Sequence, residues 1–528
     1  MENADELFSR FEELNEIGAA LSVERKMPVL FEKIVVAAKR ITHADAGTLY
    51  LVSDDRCRLQ FEIVRTDSLN IALGGTGTPM PRDKLPDLPL FLADGSANHA
   101  MVAVHAAVTG QTINIADAYC AEGFDFSGTR EFDSRNGYRS CSFLTVPMKD
   151  HEGEVVGVLQ LINAIDQRTG LVGLFSQADQ RLAESLASQA AIALSNRQLV
   201  QQLEALFESF VKLINLAIDE KSPYTGGNCQ RVPELTMMLA EAADATTEGP
   251  LADFKLTDKD RYELRIAALL HDCGKVTTPV HVVDKATKLQ TIYDRIHLID
   301  TRFEVVKRDA EIRKWKSIAE GMAPAEAERI HFDFCQKIPV DRGILHRANI
   351  GCEKMADEDM ANVRRIATEY RWRNADGDEV PFLSDDELEN LTIRSGTLTR
   401  AERDIINHHI VATIKMLEQL PWPRHLKNVP EYAGGHHERM DGKGYPKGLK
   451  RENMSWQACI MGIADIFEAL TAKDRPYKEG MKLSEALAIL ERFSLNGHID
   501  PVLHEVFISS EVYRKYASAF LKPHQVDC

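Results

Sequence analysis

Histidine and aspartate gather in five short segments of the chain. His271-Asp272 lies in AALLHDCGK, with Lys275 one helical turn past Asp272. His408-His409 follows in TRAERDIINHHIVAT, and His436-His437-Glu438-Arg439 runs into Asp441-Gly442-Lys443-Gly444-Tyr445-Pro446. Asp465 stands in MGIADIFEAL, and Arg475-Pro476-Tyr477-Lys478 comes last. Imidazole with carboxylate suits first-row transition metals such as iron, manganese, zinc or nickel. An aspartate beside a histidine can bridge two ions while its neighbour ligates one, and ions roughly 3.5–4 Å apart acidify a water and clamp a phosphoryl group. Lys275, Arg475 and Lys478 would offer positive charge to phosphate oxygens. The glycines of DGKGYP permit a tight loop with backbone amides turned to a ligand. A lone His-Asp doublet arises readily by chance, and most isolated histidines are structural. Three imidazole-bearing segments with two helix-borne aspartates in one helical domain are harder to ascribe to chance, and they suit the arrangement a two-metal hydrolase needs.

The elements that must carry these residues follow from periodicity. Leu7, Phe11, Leu14 and Ile17, then Leu30, Ile34, Ala37 and Ile41, recur at helical spacing, so residues 1–45 read as two helices. From Ala46 the period becomes two, in AGTLYLVS and RLQFEIVRT, and a clearer hairpin spans Ser142 to Asn163 around Gly153. Residues 67–140 are loop-rich with helical pieces, and helical spacing returns from about Ser176. Residues 1–195 are therefore expected to be an α/β domain, an antiparallel sheet flanked by helices. Leu199, Leu203, Leu206, Phe210, Leu213 and Ala217 form a heptad seam, which places a long helix over 196–222 ending near Ser222-Pro223. That seam either packs on its own domain or pairs with a second copy in parallel. Residues 223–528 read as helical throughout, with an excursion over 289–395. Within it, Leu289, Ile292, Tyr293, Ile296, Ile299, Phe303 and Val306 form one helical stripe. A second helix is expected over Glu353–Trp372, with Met360, Val363, Ile366 and Tyr370 on one face, before a turn at Asn374-Ala375-Asp376-Gly377.

Composition sets the outer limits. A chain of 528 residues exceeds one hydrophobic core, and 44% hydrophobic with 27% charged residues excludes wholesale disorder. Lys and Arg total 63 against 80 Asp and Glu, and a formal charge of −17 argues against coating a nucleic-acid polymer. A local basic pocket can still take an anionic substrate. Nine cysteines without metal-knuckle or CxxC spacing fit a reducing, cytoplasmic setting. The acidic start MENADELFSRFEELNE lacks a signal-peptide pattern, and no membrane insertion is expected.

HDCGK, His409, HHERMDGKGYP and ADIFEALTAKDRPYK together resemble the HD-GYP domain, over roughly 210–510 apart from the excursion. The resemblance implies an all-α fold and a metal-dependent phosphodiesterase that opens cyclic di-GMP to pGpG, and further to GMP. It assigns His271, Asp272, His409, His436, His437 and Asp465 to a centre of two divalent transition metals such as iron or manganese, with Asp272 as the bridge. His271, Asp272 and Lys275 would act in catalysis. Lys275, Arg439, Gly444, Tyr445, Pro446, Arg475 and Lys478 would face the substrate, while His408 falls outside the ligand pattern. The family's YTxGH string here reads Tyr224-Thr225-Gly226-Gly227-Asn228, so an asparagine occupies one metal-ligand position. Tyr224 stands where some relatives place a glutamate for a third metal, so two ions are the expected maximum. The departure at Asn228 leaves open a receptor that binds cyclic di-GMP without cutting it, and an HD hydrolase of another nucleotide.

INIADAY, FDSRNGYRSCSFLTVPMKD and GEVVGVLQLIN resemble a GAF domain, particularly those of cyclic-nucleotide phosphodiesterases. The resemblance implies a small-molecule ligand of unknown identity, or a GAF fold used only for dimerisation. In the cyclic-nucleotide signature Asn163, Phe175 and Asp179 are kept, but Ala164 and Gln180 replace a lysine and a glutamate, so the lysine's salt bridge to Asp179 is lost. The whole chain thus reads as a GAF domain joined by a long helix to an HD-type helical domain, as a homodimer.

Overall fold

The structure, a computed structural model, describes residues 2–24, 26–222, 227–352, 354–472 and 480–528. The chain divides into two compact units, Met1–Phe207 and Glu208–Cys528. In the first, α1 (Glu2–Val23) and α2 (Met27–Thr42) precede strands β1 (Ala44–Val52), β2 (Arg58–Thr66), β3 (Ile71–Gly74) and β4 (Leu88–Pro89). Next come α3 (Val102–Thr109), β5 (Ile113–Ile115), α4 (Ser127–Asn136), β6 (Phe143–Lys149), β7 (Val155–Ile165) and β8 (Val172–Gly173). A single helix, α5, runs from Gln177 to Lys221. The strands form one antiparallel sheet in the order β3-β2-β1-β7-β6-β5, with β4 added to β2 and β8 to β7.

Strand alternation gives this sheet two apolar faces. Leu49, Ile63, Leu144, Leu159 and Leu161 share a core with Ile34 and Ile41 of α2 and with Leu182, Leu186 and Leu194 of α5. Tyr50, Leu59 and Val158 pack instead with Ala103, Val104 and Ala106 of α3. Each leucine or isoleucine so buried contributes about 1.5–3 kcal/mol. The same stripe explains why α5 begins at Gln177 and not near 196: its first turns belong to the first unit's core. Asp179, whose expected lysine partner is missing, pairs with Arg10 of α1 at 2.5 Å. The lost salt bridge is therefore replaced from another helix. Farther along α5, Leu199, Leu203, Leu206, Phe210 and Leu213 are exposed.

The second unit contains α6 (Asn228–Asp244), α7 (Asp258–Leu270), α8 (Val280–Val283), α9 (Ile296–Ala319), α10 (Pro324–Asn349) and α11 (Asp357–Glu369). After β9 (Arg371–Arg373) and β10 (Glu379–Pro381) come α12 (Asp385–Leu391), α13 (Arg400–Glu418), α14 (Val429–Gly434) and α15 (Trp456–Thr471). Helices α16 (Leu483–Leu495), α17 (Pro501–Ser509) and α18 (Val512–Phe520) close the chain.

The excursion holds its own core, in which Leu289, Ile299, Phe303, Leu345, Val363, Tyr370, Phe382 and Leu391 meet. Three expectations need correction there. The stripe from Leu289 is not one helix: Asp294 accepts the Ile296 amide at 2.9 Å and starts α9, leaving Ile292 97% exposed in the preceding turn. The helix expected over 353–372 is only Asp357–Glu369. Beyond it Trp372 pairs with Val380 in a small hairpin, so this region is not purely helical. The expected turn closes that hairpin, with Gly377 at φ 89°, where a side chain would be strained. Buried Lys288 donates to the Ile393 carbonyl at 2.8 Å, and Lys285 to Asn390 and Glu402, which ties the excursion's base to the start of α13.

Candidate metal centre

Each cluster residue is carried by a locally determined element. Thr257 and Asp260 form a capping box that starts α7, and His271 is its C-cap. The chain then tightens into a 3-10 turn, Cys273–Thr277, that carries Lys275. Thr399 and Glu402 cap α13, which places His409 on its buried side. His436-His437 follows the short helix α14, and Ser455 caps α15, which bears Asp465. Gly274 lets the turn and α13 touch: a Cβ there would lie 2.0 Å from the His409 carbonyl oxygen. Its amide donates to Thr413 Oγ1 at 2.9 Å. From the end of α5, Lys221 grips the same turn by donating to the carbonyls of Lys275 and Val276.

A shared hydrogen bond orients the imidazoles. His271 Nδ1 donates to the Ala268 carbonyl at 2.7 Å, His409 Nδ1 to Ile406 at 2.5 Å, and His436 Nδ1 to Ala433 at 2.6 Å. Each ring thereby turns Nε2 away from its own helix and toward the others, which is how a carbonyl selects a ligating tautomer. His271 Nε2 approaches Asp272 Oδ2 to 3.2 Å and Asp465 Oδ1 to 3.7 Å. His409 Nε2 lies 3.2 Å from Asp272 Oδ1 and 3.2 Å from His437 Nε2. Asp272 thus faces two histidines, one through each oxygen. Despite these approaches, His271 Nε2, Asp272 Oδ1, His436 Nε2 and Asn228 Oδ1 are buried without an aligned hydrogen-bond partner. Buried polar atoms left unmatched cost about 1–3 kcal/mol each. A cation among His271, Asp272 and His436 would satisfy the unmatched atoms of all three, so the donor set fits divalent metal. Two groups have ligand atoms mutually within 4.8 Å: His409, His436, His437, and His271, Asp272, His436.

Electrostatics agree. Burial alone would raise the Asp272 pKa, but Lys275 and His271 outweigh it and hold the carboxyl well below its ordinary range. Asp465 is likewise driven down against burial, by His271, His436 and His437. Burial disfavours a charged His271, yet Asp272 and Asp465 lift it to about 10. Burial, with the neighbouring His271, depresses His436 to about 4; burial and His436 push His437 well below its usual value. Lys275 opposes its own desolvation through Asp272, at 2.5 Å, and Asp465, and its pKa rises.

The DGKGYP loop folds back onto the cluster. Glu438 accepts the amides of Lys447 at 2.7 Å and Leu449 at 2.8 Å, and Tyr445 stacks on His437 at 4.8 Å between centroids. A Cβ on Gly444 would sit 2.4 Å from the Arg439 nitrogen, so this close return requires glycine. Pro446 follows Tyr445 in the same loop through a cis bond.

Geometry brings together His271, Asp272, Lys275, His409, His436, His437, Asp465 and Asn228. His408 points to solvent on α13. Arg439 is engaged by Asp441 through two bonds, at 3.1 and 2.8 Å. Arg475 and Lys478, expected to meet phosphate, lie outside the described residues, as does Tyr224. Arg231 and Lys221 lie outside the five segments, and Glu438 and Glu468 lie inside them without an assigned role. Of these, Glu468 was signalled by its spacing, one helical turn after Asp465 on α15.

Family models now account for both units. A GAF domain model matches residues 27–194; two HD domain models match 225–347 and 353–503. The chain carries a GAF domain and an HD region. The cluster draws on both HD matches, with His271 and Asp272 in the first and His409, His436, His437 and Asp465 in the second. A 3′3′-cGAMP-specific phosphodiesterase of Vibrio cholerae is 39% identical over 108 residues, 20% of this chain and 22% of that protein. A cyclic di-GMP phosphodiesterase of Thermotoga maritima is 35% identical over 133 residues, 24% of this chain and 35% of that one. The chain therefore spans about a fifth to a third of these relatives' length. The solved GAF domain of a Coxiella burnetii phosphoenolpyruvate-protein phosphotransferase is 14% identical. It covers 37% of this chain and 98% of its own, at a TM-score of 0.28 that adds nothing to the family match. Among the described residues no helix is long and apolar enough to cross a membrane.

Proposed function

We propose that the HD region is a metal-dependent phosphodiesterase that opens a cyclic dinucleotide, cyclic di-GMP, to linear pGpG and onward to GMP. The observation that carries this reading is the convergence of His271, His409, His436 and His437 with Asp272 and Asp465, in which His271 Nε2, His436 Nε2 and Asp272 Oδ1 are buried without partners. His271, His409, His436, His437, Asp272 and Asp465 would hold the divalent ions. Divalent ions held there would supply Lewis acidity to activate a water and to stabilise charge on the phosphoryl and leaving oxygens. The chain's own residues do the rest. Carbonyls of Ala268, Ile406 and Ala433 hold the rings in register, and burial keeps His436 and His437 neutral and ready to ligate at pH 7. Lys275 holds Asp272 ionised and places an ammonium beside the cluster for a phosphate oxygen. The Tyr445 ring stacks on His437, and the Tyr445 amide donates to the His437 carbonyl, which fixes the loop against the cluster. Arg439, Arg475 and Lys478 would meet the phosphodiester or its guanine-bearing arms.

Metal analysis of anaerobically purified protein, with turnover of cyclic di-GMP and 3′3′-cGAMP followed by chromatography, tests the proposal. Cleavage with manganese or ferrous iron, lost in His271→Ala and Asp272→Ala, is expected. No turnover with any metal would sink it. Asn228 favours a second reading, a receptor that binds cyclic di-GMP without cutting it; binding by metal-replete protein with no product is its signature. We further propose that the GAF domain binds a small molecule that regulates the HD region. The exposed leucines of α5 would pair with those of a second copy.

A further inference from the structure

Asn228 begins α6 and faces the side of the cluster formed by α15. Its amide nitrogen donates to Glu468 Oε2 at 2.9 Å and approaches Asp465 Oδ1 at 3.4 Å. Glu468 is 2% exposed. Its other oxygen accepts Arg231 Nε at 2.8 Å and Arg231 Nη2 at 2.7 Å. Arg231 stands one turn after Asn228 on α6, so a buried ion pair bolts α6 to α15 beside the amide. Two carboxylates on one flank leave Asn228 a single favourable orientation. Flipped, its carbonyl oxygen would oppose both, whereas the NH2 group can donate to both. The oxygen, Oδ1, is then buried with no partner.

We propose that Glu468, held by Arg231, is the positioning residue that commits the Asn228 NH2 group to the carboxylates of α15 and leaves its unpartnered Oδ1 as a neutral oxygen donor for the metal centre. The inference rests on the metal-dependent reading above and adds a residue pair that acts through a ligand. It also accounts for an asparagine in the cluster: an amide has two unlike ends, and only a fixed acceptor behind it makes the oxygen the donor. Outer partners of this kind typically change metal affinity by 10–100-fold.

Metal-free full-length protein, titrated with manganese chloride by isothermal calorimetry, tests it, with the metal-free melting temperature recorded alongside. Asn228→Leu keeps the volume and removes the donor, and should weaken one manganese site by about tenfold or more. In Glu468→Gln, Arg231 claims the remaining carbonyl oxygen, so an NH2 group faces Asn228 and turns its amide; a similar loss of about tenfold is expected. Combined with Asn228→Leu, Glu468→Gln should cost nothing further in affinity. A merely structural Glu468 would show the same loss in both backgrounds, and that result overturns the proposal. So does wild-type affinity in Asn228→Leu, a variant that leaves the ion pair intact and decides the matter alone if Glu468→Gln does not fold. Wild-type protein that binds no divalent ion would overturn the phosphodiesterase reading along with this one; metal-binding wild type with an unaffected Asn228→Leu overturns only this one.

Discussion

Adding one methyl group at Gly274 tests whether contact between the 3-10 turn and α13 sets the metal centre. The Cβ of Gly274→Ala would lie 2.0 Å from the His409 carbonyl oxygen and 2.6 Å from the Thr413 nitrogen. Both are backbone atoms of α13 and cannot swing aside. Ordinary contact begins at 3.4 Å, so turn and helix must separate by about 1.4 Å. Asp272 is two residues from Gly274, and His409 sits on the helix being pushed. If their 3.2 Å approach opened by the same amount, it would reach about 4.6 Å. Metal–nitrogen and metal–oxygen bonds of about 2.1 Å span at most roughly 4.2 Å through a shared ion. Asp272 and His409 could then no longer ligate one ion together. Overpacking of this kind also costs about 1–3 kcal/mol of stability. Metal per chain by plasma mass spectrometry, and melting with and without chelator, report the two effects separately. We expect metal content to fall and the chelator-dependent part of the melting temperature to disappear. Full metal content and an unchanged melting curve would show that this contact does not set the site.

Because His271 in the metal-free protein stays protonated at pH 7, metal uptake should release about one proton from it. Calorimetry in two buffers of different ionisation enthalpy reads that number, and zero release would contradict the raised pKa. His436 works in the opposite sense: its folded pKa of about 4 lies below the unfolded value of about 6.5. The neutral ring's stabilising contribution is present above pH 6.5 and is lost as pH falls toward 4, by about 3 kcal/mol. Chemical denaturation of metal-free protein across that window should show the loss, and His436→Gln should reduce it, with the remainder coming from His437. On α5, exposed Leu203 and Leu213 predict that Leu203→Glu with Leu213→Glu lowers the self-association measured by sedimentation, at about 25 cal/mol per Å² of apolar area left in water. A wild-type chain that sediments as a monomer at micromolar concentration refutes the pairing.

The local patterns were legible because they are short-range. Period-two runs became β1, β2, β6 and β7, and the hairpin around Gly153 lies where the sequence places it. Capping residues Thr257, Thr399 and Ser455 start the helices that carry His271, His409 and Asp465. HHERMDGKGYP, which carries the family resemblance, holds two of the histidines that the structure brings together. Less legible was the excursion, where a stripe of apolar residues reads alike whether Leu289 reaches the core from a helix or from the turn before α9. Trp372 likewise lies in a strand because Arg302 and the excursion's core receive it, which period-counting cannot detect.

What tertiary structure alone decided is orientation across elements. Spacing selects His271, His409 and His436, but carbonyls three residues back aim each Nε2, and only packing of α7, α13 and α14 brings those nitrogens together. Glycine at 274 and 444 became intelligible once the His409 carbonyl and the Arg439 nitrogen were found where a Cβ would stand. Asn228 looked like a weakened ligand by residue type, yet its role turns on Glu468 and Arg231, the first of them 240 residues away along the chain. Periodicity and capping act within a few residues and are written in the order of the sequence. The donor atom that an amide presents is set by charges that meet only when distant helices pack.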